Sequence, residues 1–424
     1  MDCIGEQQTV DLARARNAIL ANPAPPRKRD AVFDWRAALV TNREGAPFPV
    51  LANAITALRH APEWGGVLAF NEFSLGVTAM KAAPWGGPGA GDAWTDQEDR
   101  LTADWLQRAG IRVSVETAGQ AVQTVAHDRA FHPVREYLDS LKWDRTARID
   151  TWLALYVGAE ANDYTRATGS RWLISAVARI YQPGCKSDCC LILEGEQGTR
   201  KSTALATIAG EWFTDECSEL GSKDSAMQVR GVWVVELAEL DAMTRGEVSR
   251  IKGFMSRGTD RFRPPYGKRV IESPRQCVFA GSVNHSNYLR DETGGRRFWP
   301  VACRRILIDD LARDRDQLWA EAVARYRTGA PWWLDSADLN RQAAEEQAAR
   351  FEGGPWDELI GEWVAARETV SVSDVLAFCI EKPKANWTQT DKNAVARALR
   401  AMGWERYRER TGNSIEWRYR RKTG

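Results

Sequence analysis

The sequence predicts an α/β protein built on a parallel sheet, with a mostly helical region ahead of it and a small winged-helix-like domain after it. Three observations predict this. Short continuous apolar runs of strand type recur at Cys190–Leu193, Val232–Val235 and Cys277–Ala280, each followed by polar or glycine-bearing residues, with helical stretches between the first two. A loop of phosphate-binding pattern follows the first run. Beyond Glu352-Gly-Gly-Pro355 the chain changes character, with helical patterns at 356–366, 373–381 and 390–402 and then a hairpin, Trp404–Arg408 and Ile415–Tyr419 around Thr411-Gly-Asn413.

The chain has 424 residues, 44% of them hydrophobic, enough for more than one core. With 58 basic and 57 acidic residues the net charge is +1, which excludes a generally basic coat protein, so contact with nucleic acid must come from local patches. No run approaches the roughly 18–20 apolar residues that span a bilayer. The first residues, MDCIGEQQTVDLARARN, lack the apolar core of a secretion signal, and the eight cysteines do not suit a disulfide scaffold in a chain this long. A cytoplasmic protein with reduced thiols and no membrane partner is expected.

Residues 1–30 are polar and end in the proline-rich basic run Asn22-Pro-Ala-Pro-Pro-Arg-Lys-Arg29, which reads as a tail or linker. From 31 to 147 short apolar segments alternate with breakers such as Pro84-Trp-Gly-Gly-Pro-Gly-Ala-Gly91. Leu101–Ala109 has helical spacing with Leu101, Trp105 and Leu106 on one face, and the region reads as mixed and mostly helical. Residues 148–182 read as helices, and 148–350 as the nucleotide-binding domain, with helical segments from Asp314 to about Arg350. The last domain is expected at 355–424.

Gly195-Glu196-Gln197-Gly198-Thr199-Arg200-Lys201-Ser202-Thr203 lies between a strand and a helix, where a P-loop would wrap phosphates with backbone N–H groups. Lys201 is expected on the β- and γ-phosphates of ATP and the Ser202 hydroxyl on Mg²⁺. Arg200 stands where the pattern has its second glycine, and Gly198 is the nearest source of flexibility. A strand–turn–helix with a chance Lys-Ser is the plain alternative. The run Val232-Trp-Val-Val235 ends in Glu236-Leu-Ala-Glu239, so Glu236 is expected to hold Mg²⁺ through water and Glu239 to polarise the attacking water. Asn284, after the third run, would sense that water or the γ-phosphate.

Arg296 and Arg297, after Gly294-Gly295, suit an arginine finger acting on a neighbouring subunit's γ-phosphate. Arg261-Phe-Arg-Pro-Pro-Tyr-Gly-Lys268 reads as a hairpin tip, so Arg261, Arg263, Tyr266, Lys268 and Arg269 are candidate DNA contacts. From Asp391 onward bases outnumber acids and Trp404, Tyr407, Trp417 and Tyr419 are interleaved, placing Arg406 and Arg418 among candidate duplex contacts. The four histidines and the group Cys185, Cys189 and Cys190 show no metal-site spacing.

Over roughly residues 35–335 the chain resembles the virulence-associated E family of phage, plasmid and island-encoded ATPases, relatives of superfamily-3 helicases. The resemblance rests on Phe131-His-Pro-Val-Arg-Glu-Tyr-Leu138, Leu141-Lys-Trp-Asp144, Leu193-Glu-Gly-Glu-Gln-Gly198, Val235-Glu-Leu-Ala-Glu-Leu240, Phe262-Arg-Pro-Pro-Tyr-Gly267, Tyr288-Leu-Arg-Asp-Glu-Thr-Gly-Gly-Arg-Arg-Phe-Trp-Pro300 and Asp316-Gln-Leu-Trp-Ala-Glu-Ala322. It implies an AAA+-type ATPase ring, a homo-hexamer that translocates on DNA during replication of a mobile element. Single-stranded DNA is expected in the pore and, from the basic aromatic segment after Asp391, duplex at the C-terminal domain. The resemblance further implies that Lys268 sits near the tip of a pore hairpin and that Arg296 or Arg297 is the finger. Many relatives carry a primase domain ahead of the ATPase. No paired-carboxylate motif is recognised in the N-terminal region, so a separate primase is the expected partner. The alternative from another class is a nucleotide-gated DNA-binding initiator or loader that hydrolyses ATP slowly and unwinds nothing.

Overall fold

Buried apolar runs decide the centre of the fold. In the computed structural model, which describes residues 33–216, 225–238, 245–263, 269–284, 295–350, 356–411 and 414–421, five strands form one sheet. They are β4 (Cys190–Glu194), β5 (Phe213–Thr214), β6 (Val234–Leu237), β9 (Val278–Val283) and β10 (Phe298–Ala302), in the order β10-β4-β9-β6-β5. Every pairing is parallel. Both faces of β4, β6 and most of β9 are buried, as a parallel sheet requires when helices cover it on both sides. The protein is thus a mixed α/β structure with a parallel sheet.

The three strand-type runs are found with shifted bounds. The second begins two residues later than the sequence indicates and continues through Glu236 and Leu237, so Glu236 lies within the strand rather than after it. β5, two residues long, and β10 carry no strand signal the sequence reading used. Pro300 sits in β10, which is possible because β10 is an edge strand and needs no ladder hydrogen bond from that position.

Tryptophans lock helices to the sheet. The helix Asp163–Tyr181 starts at an Asn162–Thr165 capping box and is almost wholly buried. Its Trp172 Nε1 donates to Phe279 O at 2.8 Å, and Trp233 Nε1 of the sheet donates back to Ala176 O at 3.0 Å. Trp319, on the helix Ile308–Arg327, packs at a tilt 4.1 Å from Trp233 and donates to Ile208 O, which joins that helix to Lys201–Ala209. These three indoles thus meet the need of their one polar atom while filling the core. Gly169 is required on the long helix, because a Cβ there would lie 2.7 Å from Trp152 Nε1 and 2.8 Å from Leu153 Cδ1.

Ahead of this lies a smaller sheet, β1 (Leu68–Asn71), β2 (Gly76–Ala79) and β3 (Ala130–Phe131), in the order β2-β1-β3. The helices Leu51–His60, Asp96–Arg108 and Val115–Ala126 accompany it, with Trp35 and Trp64 in their core and Trp85, Trp94 and Trp105 packed against it. The expected helix at 101–109 therefore starts earlier, at the Thr95–Glu98 capping box. The turn after β1 is tied to the larger sheet's body. Phe73 is buried in that body's core, Gly231 N–H donates to Phe73 O at 3.2 Å, and Arg230 donates to Ser74 O and Leu75 O. His132 adds a polar pin: its Nδ1 accepts the Arg135 N–H, so its Nε2 carries the proton and donates to Gln276 Oε1 at 2.6 Å. Burial pushes the His132 pKa down, which keeps this tautomer neutral.

Contacts divide the chain into two units, and the described residues up to Ala349 belong to the first. In the second, from Arg350, β11 (Thr369–Ser371), β12 (Trp404–Thr411) and β13 (Ser414–Arg421) form an antiparallel sheet in the order β11-β13-β12. The helices Asp357–Val364 and Gln389–Ala401 and the helical segment Val372–Cys379, which passes from α to π at Val375, enclose Ile360, Leu376, Val395, Leu399, Trp404 and Tyr419. The hairpin is longer than the sequence pattern indicates, and β11 is a strand it does not show. Among the described residues no helix is long and apolar enough to cross a membrane.

Candidate functional site

Three strand ends of the parallel sheet converge on one loop. β4 stops at Glu194, Gly195 N–H bonds Val283 O of β9 at 3.2 Å, and the chain turns through Gly198, at φ +86°, into the helix Lys201–Ala209. Arg200 occupies the N-cap with φ +66° and ψ +31°, a left-handed conformation that costs an L-residue roughly 1–2 kcal/mol. The position thus keeps the conformation for which glycine is suited without having the glycine.

Lys201 is buried and its Nζ is folded over the loop. It lies 2.8 Å from Gly195 O, 2.9 Å from Glu196 O, 3.3 Å from Thr199 Oγ1 and 3.2 Å from Asn284 Oδ1. Asn284, just beyond β9, is therefore in direct contact with the lysine. One residue along the helix, Ser202 Oγ donates to Glu236 Oε1 at 2.7 Å and lies 3.4 Å from Ser282 Oγ. Glu236 is 1% exposed, and its Oε2 is buried without a hydrogen-bond partner. A half-satisfied buried carboxylate is costly, and with the hydroxyl beside it Glu236 offers two oxygen donors of the kind a hard cation takes.

The structure thus gathers Lys201, Ser202, Glu236 and Asn284 from separate places in the sequence into one group. Ser282 belongs with them. The signal that could have found it is period two: continued one residue past β9, the alternation puts Ser282 and Asn284 on one face. Glu196, Gln197, Thr199 and Thr203 fall on the loop or the first helical turn, Thr199 Oγ1 donating to Glu196 O. Glu239 lies outside the described residues, as do Tyr266 and Lys268.

The basic candidates sit elsewhere. Arg296 and Arg297 form the short turn before β10, whose first residue pairs with the first residue of β4. They are consequently at the amino edge of the sheet, opposite the loop. Arg297 Nε donates to Ser256 Oγ at 2.9 Å and lies 3.4 Å from Asp188 Oδ2, while Arg296 is exposed. β7 (Thr259–Phe262) and β8 (Ile271–Pro274) make an antiparallel ribbon leading to the undescribed 264–268. Arg261 on it is exposed and 3.1 Å from Glu272; Arg263 and Arg269 are also exposed.

Arg275, which composition alone groups with these cations, is a structural residue. Its guanidinium is buried, bonds Asp260 at 2.9 and 2.5 Å, reaches Phe254 O and lies 4.1 Å from the Phe254 ring. It ties both strands of the ribbon's base to the preceding helix. Arg275→Ala is expected to lower unfolding stability by roughly 3 kcal/mol, read as a reduced urea midpoint, because Asp260 is left charged and buried. Arg406 and Arg418, in the second unit, lie on opposite faces of the β12–β13 hairpin, and Arg418 is paired with Glu409 at 3.1 Å and Asp374 at 3.5 Å.

These observations define a mixed α/β protein with a polar site at the carboxyl edge of a parallel sheet, where such folds hold ligands. The chain belongs to the virulence-associated protein E-like family, whose domain model matches residues 138–352. Among solved structures it is similar to the apo structure of the NrS-1 C terminal region, at 11% identity over 83% of this chain and 95% of that one, with a TM-score of 0.44. The A form apo structure of the same region gives 12% identity, 84% and 95% coverage and a TM-score of 0.45. No curated protein matches the chain.

Proposed function

We propose that the chain is a P-loop ATPase of AAA+ type that works as an ATP-dependent DNA helicase or translocase in a homo-hexameric ring during replication of a mobile element. One observation carries the nucleotide part: Lys201, Ser202, Glu236 and Asn284 meet at the carboxyl edge of the sheet, with one oxygen of Glu236 buried and unpartnered. Family membership supports it. The second unit, helices beside a three-stranded antiparallel sheet, supports the winged-helix reading.

In this reading the N–H groups of 195–202 wrap the triphosphate, and Lys201 exchanges the carbonyls of Gly195 and Glu196 for phosphate oxygens. Ser202 and Glu236 would hold Mg²⁺, which supplies neutralising charge to the β- and γ-phosphates when bound. Asn284, held by Lys201, is placed to register the γ-phosphate, and Glu239 is assigned the attacking water. Glu236→Gln keeps an acceptor for Ser202 and removes the negative charge. Apparent Mg²⁺ affinity in ATP turnover is expected to fall about 10–100-fold with the fold intact. An unchanged Mg²⁺ titration would remove Glu236 from the metal site.

A further inference from the structure

The β12–β13 hairpin is electrically two-faced. Side chains alternate across its strands, so Arg418, Arg420, Glu405 and Glu409 share one face, and Trp404, Arg406, Arg408, Trp417 and Tyr419 the other. On the first face every described arginine has a carboxylate: Arg418 lies 3.1 Å from Glu409 and Arg420 2.7 Å from Glu405. The second face enters the core at Trp404 and Tyr419, both buried, and leaves it at Arg406, Arg408 and Trp417, all exposed. There the arginines meet a ring instead of an acid. The Arg406 guanidinium lies 3.8 Å and that of Arg408 4.6 Å from the Trp417 ring centroid.

Two guanidiniums on one indole are held in place without being neutralised, since the ring's quadrupole orients a cation but cancels none of its charge. An ion pair would do the reverse. The two arginines stand about 7 Å apart along the strand, a separation of the order of the step between successive phosphates of a nucleic-acid strand. Arg410 continues the row by alternation and is exposed.

We propose that the Arg406–Trp417–Arg408 face grips the phosphate backbone of a nucleic-acid duplex, independently of base sequence, with Trp417 as a spacer that positions both cations. The proposal rests on the reading of the chain as acting on nucleic acid. It deepens that reading by assigning the duplex contact to Arg406 with Arg408, and by giving Arg418 to the hairpin's own ion pairs. Phosphate contacts set salt dependence, whereas base contacts set sequence preference.

The test is a salt titration of the full chain binding a short duplex of arbitrary sequence, read by fluorescence anisotropy without nucleotide. Arg406→Ala and Arg408→Ala are each expected to weaken binding and to lower the slope of log affinity against log salt by about 0.9. Trp417→Leu keeps apolar cover but removes the ring, so affinity should fall with the slope unchanged. Arg418→Gln should leave the slope where it is. Slopes equal to wild type in both Arg406→Ala and Arg408→Ala overturn the proposal, as does a slope lost equally in Arg418→Gln. ATP turnover of Lys201→Ala without DNA reads the nucleotide site by itself, so failure here is separable from failure of the ATPase reading.

Discussion

Lys201→Ala is expected to bring ATP turnover down to background while the protein stays folded. The lysine is buried, and its ammonium is held by four oxygens, of Gly195, Glu196, Thr199 and Asn284. A charge fixed in a poorly solvated place stabilises developing phosphate charge far more than a mobile one in water. Loss of a single such donor costs on the order of 10²–10³-fold in turnover. The neighbouring Arg200 cannot stand in, because its guanidinium is exposed and its backbone is held at the helix cap. The same substitution frees Asn284 from its contact, so nucleotide affinity should fall as well. Phosphate release and nucleotide binding, with thermal melting to establish the fold, are the measurements. Normal hydrolysis by purified Lys201→Ala would remove the P-loop assignment altogether.

Much of the sheet was legible because a parallel strand buried on both faces shows itself as an uninterrupted apolar run, as Cys190-Leu-Ile-Leu193 does. The run also points to the site, since its next residues must lie at the carboxyl edge. This is how Lys201, Ser202, Glu236 and Asn284 could be named before any geometry. Glu236 was misplaced for a physical reason: an acid reads as the end of a strand, whereas here it continues β6 with its side chain buried against the Ser202 hydroxyl. β5 is too short to make a pattern, and β10 contains a proline that argues against a strand until its edge position is known. Composition could not separate the arginines. Arg275, Arg297 and Arg418 look like Arg296 and Arg406 in sequence, and only tertiary partners show that the first three are engaged within their own chain. The Arg200 departure from the loop pattern had the opposite outcome, because the backbone takes the left-handed conformation despite the side chain.

Arg296→Ala is expected to cut turnover about 10³-fold or more while leaving ATP affinity near wild type, with Arg297→Ala having the smaller effect on turnover and the larger one on stability. The distinction comes from where the two side chains are. β10 starts in register with the first residue of β4, and the loop follows the last residue of β4. At about 3.3 Å per residue the arginines and the loop are separated by the length of that strand, so neither arginine reaches the phosphates bound by its own chain. In the proposed ring, an arginine of this turn would therefore act on the site of a neighbour and not on its own. Arg297 is held by Ser256 and Asp188, which fixes the turn, while Arg296 beside it is exposed. Mixing supplies the decisive readout. Lys201→Ala subunits retain Arg296, and Arg296→Ala subunits retain the loop, so combining two inactive preparations should restore interfaces that carry both. Activity of wild type should likewise rise cooperatively with protein concentration, while Arg296→Ala alone stays inactive at every concentration. Full activity in a monomer, or mixtures that recover no turnover, would exclude the trans arrangement and leave the slow, ring-free DNA-binding switch as the reading of this chain.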